Sequence, residues 1–306
     1  MRFRPSGIVT LLTDFGLEDA YVGMVKGVIL GINPAARLVD LTHAIPPQDI
    51  LRASLALERA YRVFPRGTVH LAVVDPGVGG LRRPLAVHAD GHVFVGPDNG
   101  LFGFLVDRPG ALAVTLAPPA HRRRTVSRTF HARDVFAPAA ARCSRGVPVE
   151  RLGPRIHDPV RLRWPRPRRD GRRVLGEVLQ ADRFGNLLTN VAEADLPGPP
   201  ESCELRVGGR RLTGLVGTYG ERPVGALGAL IDSSGRVEIF VRDGNARDRL
   251  GVSSGARVSL WSRSRRSRSR GRTRTSGTTS STSPRPARSP SSPTPRPSSG
   301  PRTDSR

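Results

Sequence analysis

The chain has 306 residues, enough for two domains with a sizeable core, and an ordinary apolar content of 37%. No run of about 18 apolar residues occurs, which excludes a membrane-spanning helix of the usual length. The formal net charge of +23 is typical of a nucleic-acid binder, but it is unevenly placed, because twelve arginines and a single acid, Asp304, lie in residues 262–306.

The N-terminal residues, MRFRPSGIVTLL, run directly into a strand-like segment and contain no signal-peptide pattern. Cys143 and Cys203 lie far apart in the chain and lack the spacing of metal ligands. We therefore expect a cytoplasmic protein with reduced thiols. No His, Cys or Asp cluster has metal-ligand spacing, so we expect no metal, and we expect no other cofactor.

Apolar runs alternate with helix-like patterns from residue 7 to about residue 155. Tyr21–Leu30 and Ile50–Val63 have helical spacing, and a third helix is predicted at VFAPAAA, residues 135–141. The strand-like runs between them are GIVTLL, RLVDL, TVHLAVV, LAVHA and HVFVG. This alternation predicts an α/β domain with a largely parallel central sheet, which we assign to residues 1–160.

A Pro- and Arg-rich stretch follows, of which residues 161–172 are assigned as the linker to a second domain, residues 173–261. The second domain contains short strand-like pieces separated by Gly and Pro turns: VLGEVLQ, ELRVGG, GALIDSS, RVEIFV and ARVSLW. Such a pattern predicts a small all-β domain, either a barrel or a sandwich.

The C-terminal segment, residues 262–306, consists almost entirely of Arg, Ser, Thr, Pro and Gly, with Ala287 as its one apolar residue. It cannot bury enough surface to offset its ordering entropy, so we predict a disordered tail. Its charge favours weak polyanion binding without sequence preference. The alternative is that the many arginines reflect the codon bias of a GC-rich genome and were not selected for binding. The rarity of lysine favours this alternative, since Lys26 is the only lysine of the chain.

Polar residues interrupt the apolar runs at five places in the first domain. These are Thr13-Asp14-Phe15-Gly16, Asp40 to His43, Asp75, Pro97 to Gly100, and Thr129 to Asp134. A single carboxylate at a strand end usually caps a helix or a turn. Because ligands of open α/β sheets bind at the carboxyl ends of strands, five such ends together predict a binding site there. No dinucleotide-binding or Walker motif is present.

Six motifs, in order over residues 7–260, closely resemble those of the S-adenosylmethionine hydrolases, relatives of the fluorinases and chlorinases. They are TDFGLEDAYVGMVKGVI, DLTHAIPPQDI, GTVHLAVVDPGVGGLRRPLAV, GPDNGLFGFL, TFHARDVFAPAAA and DRFGNLLTN. The resemblance implies an N-terminal α/β domain, a C-terminal β-barrel, and a homotrimer that binds S-adenosylmethionine between subunits. The implied reaction is attack of water or hydroxide on the ribose C5′, which yields adenosine and L-methionine.

The resemblance also implies that Asp75, Arg82 and His131 activate the water. Water is a poor nucleophile with a pKa of about 15.7, whereas the departing thioether is neutral and needs no acid. Arg82 stays protonated and can stabilise developing hydroxide. His131 can take or relay a proton, and Asp75 can orient it. Which of Asp75 and His131 contacts the water stays open.

Further residues match the family's substrate contacts. Asp14, Asp19 and Tyr21 correspond to the segment around the ribose, whose diol is commonly bound by carboxylates. The methionine segment corresponds to Asp182, Phe184 and Asn186, where a carboxylate suits the ammonium and an amide suits the carboxylate. The region that holds the amino-acid end and the adenine corresponds to Ser233, Ser234, Asn245 and Ala246.

Some motif residues leave questions open. For His43, Asp98 and Asn99 we expect structural roles. Ala132 stands where the family pattern has Gly, which would cost energy if that position required a positive φ. The alternatives to hydrolysis are a halogenase of the same fold, although halogenases lack the three water-activating residues, and a catalytically idle S-adenosylmethionine- or adenosine-binding protein.

Overall fold

The structure is a computed structural model that describes residues 3–117 and 126–263. The predicted tail from residue 264 onward lies outside these residues. Within them, the helices are α1 (Tyr21–Ile32), α2 (Ile50–Ala60), α3 (Ala137–Ser144) and α4 (Ala246–Leu250). None of these helices has the length and apolar character needed to cross a bilayer. Both cysteines are buried free thiols, and burial raises the pKa of Cys143 to about 12.

The first sheet has seven strands in the order β2-β1-β3-β5-β4-β6-β7. Their bounds are β1 (Ile8–Thr13), β2 (Arg37–Thr42), β3 (Val69–Val73), β4 (Pro84–Ala89), β5 (His92–Pro97), β6 (Leu112–Thr115) and β7 (Arg155–Ile156). The first four strands in this order are parallel, and the remaining pairings are antiparallel. The predicted α/β fold is therefore confirmed, with a sheet that is mixed.

The change of direction arises at the β4–β5 connection. Only Asp90 and Gly91 join these strands, and their φ angles of 52° and 82° are those of a tight hairpin turn. Two residues cannot carry the crossover that a parallel pairing needs. Strand β5 therefore lies between β3, to which it is parallel, and β4, to which it is antiparallel.

Helices cover both faces of this sheet. On one face, α1 and α3 pack against each other and against the strands, through a core that includes Val25, Ile29 and Ala140. On the other face, α2 contributes Leu57 to a second core with Tyr61. A π-helical turn at Ala132–Phe136 leads into α3.

The remaining strands form an antiparallel sheet with its own buried core. They are β8 (Arg168–Asp170), β9 (Arg173–Ala181), β10 (Leu187–Ala192), β11 (Cys203–Val207), β12 (Arg210–Thr213), β13 (Leu227–Ile231), β14 (Arg236–Val241) and β15 (Arg257–Ser262). Val216, just after β12, donates its backbone N–H to Ala229 of β13 at 2.9 Å, so the two edges meet. The predicted all-β domain is confirmed as a nearly closed barrel. Strand β8 falls within the segment assigned as the linker.

Polar contacts from α2 attach the barrel to the first domain. Arg52 Nη2 donates to the carbonyl oxygen of Ala181 at 3.0 Å, and Arg59 Nη2 pairs with Asp232 Oδ2 at 3.1 Å. Between the sheets, the ring of Trp164 lies 6.2 Å from that of Phe104, and the Arg236 guanidinium lies 6.0 Å from the Trp164 ring.

Candidate active site

The loop from Asp75 to Arg82 follows β3 and folds back on itself. Hydrogen bonds from Val78 N to Asp75 O, at 3.2 Å, and from Gly80 N to Gly77 O, at 3.0 Å, make two successive turns. Gly79 has a φ of +76°, and a Cβ atom there would lie 2.1 Å from the carbonyl oxygen of Arg128. Only glycine fits at this position. The glycines therefore let the chain return so that Arg82 faces Asp75.

Asp75 and Arg82 close the loop with a two-pronged ion pair. Arg82 Nε donates to Asp75 Oδ1 at 2.9 Å, and Arg82 Nη2 donates to Asp75 Oδ2. The side chains are only 6% and 10% exposed, respectively. Such paired, charge-assisted hydrogen bonds fix the guanidinium plane relative to the carboxylate.

His131 joins this pair through the same guanidinium group. Arg82 Nη2 donates to His131 Nδ1 at 2.8 Å, and the Arg82 guanidinium carbon lies 5.2 Å from the Phe136 ring centre. Arginine has no acceptor, so His131 Nδ1 is unprotonated and the ring carries its hydrogen on Nε2. The three predicted residues thus lie together, with Arg82 in contact with both of the others.

The π-helical turn after His131 answers the question about Ala132. Ala132 is buried in that turn and is absent from the residues with positive φ in the described part of the chain. The Cβ atom of alanine therefore causes no backbone strain at this position.

The predicted ribose segment lies next to this set. The rings of Phe15, Tyr21 and Phe130 form an edge-to-face cluster with centroid separations of 5.3 to 6.2 Å. Phe130 directly precedes His131, so this cluster joins the N-terminal loop to the candidate catalytic residues. Asp14 Oδ2 accepts a hydrogen bond from Gln48 N at 2.9 Å, whereas Asp19 and Tyr21 are exposed.

His43 holds the same N-terminal loop by contacts with Thr13 and Gly16. Its Nδ1 lies 2.8 Å from Thr13 Oγ1, and its carbonyl oxygen accepts from Gly16 N at 2.9 Å. Its Nε2 lies 3.1 Å from Asp40 Oδ1, outside ordinary hydrogen-bond geometry. Burial opposes ionisation of Asp40, but Lys26 and His43 together hold its pKa below the ordinary value. These contacts agree with the structural role expected for His43.

The predicted methionine residues form one turn on the barrel. Asp182 Oδ1 accepts from the backbone N–H groups of Phe184 and Asn186, both at 2.9 Å, and Asp182 Oδ2 accepts from Asn186 Nδ2 at 3.3 Å. Asn245 caps α4 by accepting from Asp248 N at 3.0 Å. The N–H of Arg247, in the first turn of α4, donates to Gly185 O at 2.9 Å, so this turn packs on Asn245 and Ala246.

Ser233 and Ser234 belong to the neighbouring β13–β14 turn. Ser234 donates to Asp232 Oδ1 through its backbone N–H, at 2.8 Å, and through its hydroxyl, at 2.7 Å. Ser233 is exposed in the same turn. Asp232 in turn pairs with Arg59 of α2, which ties this serine turn to the first domain.

Sequence reasoning missed two residues near Asp182. Tyr219 donates its hydroxyl to Glu238 Oε1 at 2.7 Å. Burial raises the pKa of Glu238, and the charges of Asp182 and Asp232 add to the rise. Three carboxyl groups, those of Asp182, Asp232 and Glu238, therefore lie on this side of the barrel, and Arg59 pairs with Asp232. A lone glutamate inside the apolar run RVEIFV was the available signal for Glu238; Tyr219 gave none.

The candidate site thus has two parts, the Asp75–Arg82–His131 set with the ribose segment and the Asp182 turn with the start of α4. Over residues 3–117 and 126–263, no group of three or more His, Cys, Asp or Glu side chains has the arrangement of a metal site. The first part combines a buried carboxylate, a fixed cation and an imidazole, which suits activation of a small nucleophile. The second is acidic, which suits a cationic ligand.

Comparison with known proteins gives consistent matches over both domains. The model of the S-adenosylmethionine hydroxide adenosyltransferase N-terminal domain matches residues 9–153, and that of the C-terminal domain matches residues 176–259. The chain is 46% identical to an (R)-S-adenosyl-L-methionine hydrolase of Thermus thermophilus, over 82% of this chain and 98% of the relative. A fluorinase of Nocardia brasiliensis is more distant, at 26% identity over 62% of this chain and 72% of the fluorinase.

Among solved structures, an uncharacterised conserved protein of Thermotoga maritima is similar with a TM-score of 0.78 and 34% identity. That alignment covers 83% of this chain and 99% of the Thermotoga protein. Sequence and fold agree across both domains, and the family models match most of the chain. The chain therefore belongs to the S-adenosylmethionine hydroxide adenosyltransferase family.

Proposed function

We propose that this protein hydrolyses S-adenosylmethionine to adenosine and L-methionine, with Asp75, Arg82 and His131 as its catalytic residues. The observation that carries the proposal is the buried ion pair between Arg82 and Asp75, with His131 on the same guanidinium. The hydrolase name of the Thermus thermophilus relative supports the same reaction.

The chemical step is a displacement at the ribose C5′. The water oxygen forms a bond to C5′ while the C5′–S bond breaks. The electron pair of the C5′–S bond stays on sulfur, which leaves as the neutral thioether of methionine. No acid is needed for this leaving group. The barrier lies in deprotonating water, whose pKa is about 15.7.

Each catalytic residue has a role that follows from its contacts. His131 has its hydrogen on Nε2, because Nδ1 accepts from Arg82, so it donates to the water oxygen and orients it. Asp75 keeps acceptor sites beyond its two bonds to Arg82 and takes the proton as the C–O bond forms. The Arg82 cation stabilises the hydroxide character that develops on the water oxygen.

Substrate binding uses the remaining residues. Asp14, Asp19 and Tyr21 hold the ribose beside the aromatic cluster, and the acidic Asp182 turn receives the ammonium of the methionine end. Asn186, Ser233, Ser234, Asn245 and Ala246 bind the rest of the amino-acid end and the adenine. A homotrimer that places S-adenosylmethionine between subunits brings the two parts of the site onto one substrate. No cofactor takes part, so a chelator leaves the rate unchanged.

Product analysis tests this proposal directly. The full chain is incubated with S-adenosylmethionine alone, with chloride, with fluoride and with a metal chelator, and products are separated by chromatography. We expect equal amounts of adenosine and methionine under all four conditions. A 5′-halogenated adenosine as the main product would identify a halogenase, and substrate binding without turnover would identify an idle binding protein; either result overturns the proposal.

A further inference from the structure

The turn Pro97-Asp98-Asn99-Gly100 lies between the two ends of the catalytic loop. It follows β5, which pairs with β3 on one side and with β4 on the other. The catalytic loop leaves from the end of β3 at Val74 and returns to the start of β4 through Arg83. The sheet order therefore puts this turn, hereafter the β5 turn, next to both stems of the loop. The incoming stem is Val74, before Asp75, and the outgoing stem is Arg83, after Arg82.

Asn99 holds the incoming stem. Its Nδ2 donates to the carbonyl oxygen of Val74 at 2.8 Å, and Val74 is the residue directly before Asp75. Its Oδ1 accepts from Leu101 N at 3.3 Å, which fixes the amide within the β5 turn. The hydrogen bond to Val74 therefore sets where the chain delivers the Asp75 carboxylate.

Asp98 holds the outgoing stem by backbone and side chain. Its N–H donates to the carbonyl oxygen of Arg83 at 2.9 Å, and its Oδ2 accepts from Arg83 Nε at 2.8 Å. Its Oδ1 accepts from Val160 N at 2.8 Å, and its side chain is only 1% exposed. A buried carboxylate with all of these contacts gives Arg83, and hence the adjacent Arg82, a fixed position.

We propose that Asp98 and Asn99 are positioning residues that set the distance between the Asp75 carboxylate and the Arg82 guanidinium. This inference rests on the proposed function for its catalytic consequence. The hydrogen bonds of both residues go to backbone groups and to Arg83. Each fixes one end of a glycine-rich loop that has little stiffness of its own, so together they pre-form the ion pair before substrate arrives.

Two substitutions of nearly unchanged size each remove a contact to one end of the catalytic loop. Asn99→Asp keeps the acceptor for Leu101 N but removes the donor to Val74, and Asp98→Asn removes the ion pair with Arg83. The matched control is Asp158→Asn. Asp158 also pairs with Arg83, at 2.8 Å, but its side chain is 80% exposed and lies on the outer side of the guanidinium.

Amide hydrogen exchange over residues 75–83 measures loop order whatever the activity. We expect Asn99→Asp and Asp98→Asn to speed exchange at Val78 and Gly80 at least tenfold, while Asp158→Asn leaves it unchanged. Unchanged exchange in both stem variants overturns the inference, even if the wild-type chain makes no adenosine and the proposed function itself fails. Exchange that rises equally across all strands indicates general destabilisation and overturns it as well.

Steady-state kinetics then measure what the loop order does. We expect kcat to fall about 10- to 100-fold in both stem variants with KM within about twofold of wild type, because a misplaced catalytic group loses rate and not substrate contacts. In an Arg82→Ala background, Asn99→Asp should lower the residual kcat by clearly less than it lowers that of wild type, since only the position of Asp75, and no longer its distance to Arg82, is still affected. Additive losses there, or wild-type kcat in a variant with faster exchange, contradict the positioning role.

Discussion

At the scale of single residues, Arg82 is the centre of the candidate site because its guanidinium donates hydrogen bonds to both Asp75 and His131. A lysine would keep the charge, but it cannot make the two parallel hydrogen bonds and the third to the imidazole. The guanidinium geometry, and not only its charge, is therefore part of the proposed function.

This argument predicts separate effects for catalysis and binding. Arg82→Ala and His131→Ala should each lower kcat about 10²- to 10⁴-fold, the usual range for lost acid–base assistance or an electrostatic donor. Arg82→Lys should recover only a small part of the loss. Calorimetry should show S-adenosylmethionine binding near that of wild type, because these residues act on the water. Near-normal turnover of His131→Ala would make His131 structural.

Asp14 is expected to behave in the opposite way. Its carboxylate, held by Gln48 N, is assigned to the ribose, so Asp14→Ala should raise KM and weaken binding more than it lowers kcat. Arg161→Ala, which removes an exposed ion pair with Asp107, serves as the control and should change neither constant. A loss confined to kcat would remove Asp14 from the substrate contacts.

At the scale of elements, the central strands carry a buried pair of histidines. On β3, His70 Nδ1 lies 2.7 Å from Thr10 Oγ1 of β1, and His70 Nε2 lies 3.3 Å from His92 Nδ1 of β5. The His70 ring stacks on Phe94 with a centroid separation of 4.9 Å. Burial lowers the pKa of His70 to about 3, and the neighbouring His92 adds to the effect. The sheet core therefore requires a neutral imidazole.

This core predicts a fold that is sensitive to acid. The unfolded chain binds a proton at His70 below a pKa of about 6.5, whereas the folded chain does not until a much lower pH. Above pH 6.5 the His70 contribution to the free energy of unfolding should be fully present. Between pH 6.5 and pH 3 this group should lower the free energy of unfolding by about 1.4 kcal/mol for each pH unit of acidification. Urea unfolding at pH 7 and pH 5 measures the slope. His70→Phe should flatten it, and His157→Gln, at an exposed position, should not; an unchanged slope in His70→Phe rules out this origin.

Elements that depend on the local spacing of apolar residues could be predicted from the sequence, whereas elements that depend on distant partners could not. The spacing of apolar residues predicted α1 and α2 closely, although α2 ends in a 3-10 turn at Tyr61–Val63. The antiparallel β4–β5 hairpin was not predicted, although Asp90-Gly91 is a strong turn signal. Strands β7 and β8 have two and three residues, too few to show a period, and they exist through their partners.

The candidate site was predictable only through motifs. No periodicity relates Asp75, Arg82 and His131; the family resemblance grouped them, and the confirmed family membership supports that grouping. Their order of contact, with Arg82 between the other two, depends on the backbone of a glycine-rich loop and was not predictable. The Tyr219–Glu238 bond also depends on barrel closure, which sequence spacing does not encode.

At the scale of the whole molecule, the last described residues complete the barrel. The N–H of Arg263 donates to Ser202 O at 3.0 Å, and Arg263 Nε lies 3.4 Å from Glu204 Oε1. A chain ended after Arg263 therefore keeps every contact that β15 makes with the described residues. We expect this shortened protein to fold, to assemble as a trimer in light scattering, and to hydrolyse S-adenosylmethionine like the full chain.

The same truncation tests the predicted role of the tail. Removal of residues 264–306 should abolish most salt-sensitive binding to DNA or RNA, because eleven of the arginines leave with it. Titration of a labelled oligonucleotide at two salt concentrations measures this loss. A truncated protein whose oligomeric state or activity differs from that of the full chain would show that the tail belongs to the working enzyme.

The position of Trp164 gives the molecule a built-in optical reporter. The chain has two tryptophans, and the α/β layer from β1 to β7 contains neither of them. Trp164 lies between Phe104 and Arg236, whereas Trp261 lies on β15 with the guanidinium groups of Arg173 and Arg211 at 5.8 and 5.6 Å from its ring. We therefore expect the fluorescence of Trp164 to report separation of the two domains, and that of Trp261 to report unfolding of the barrel.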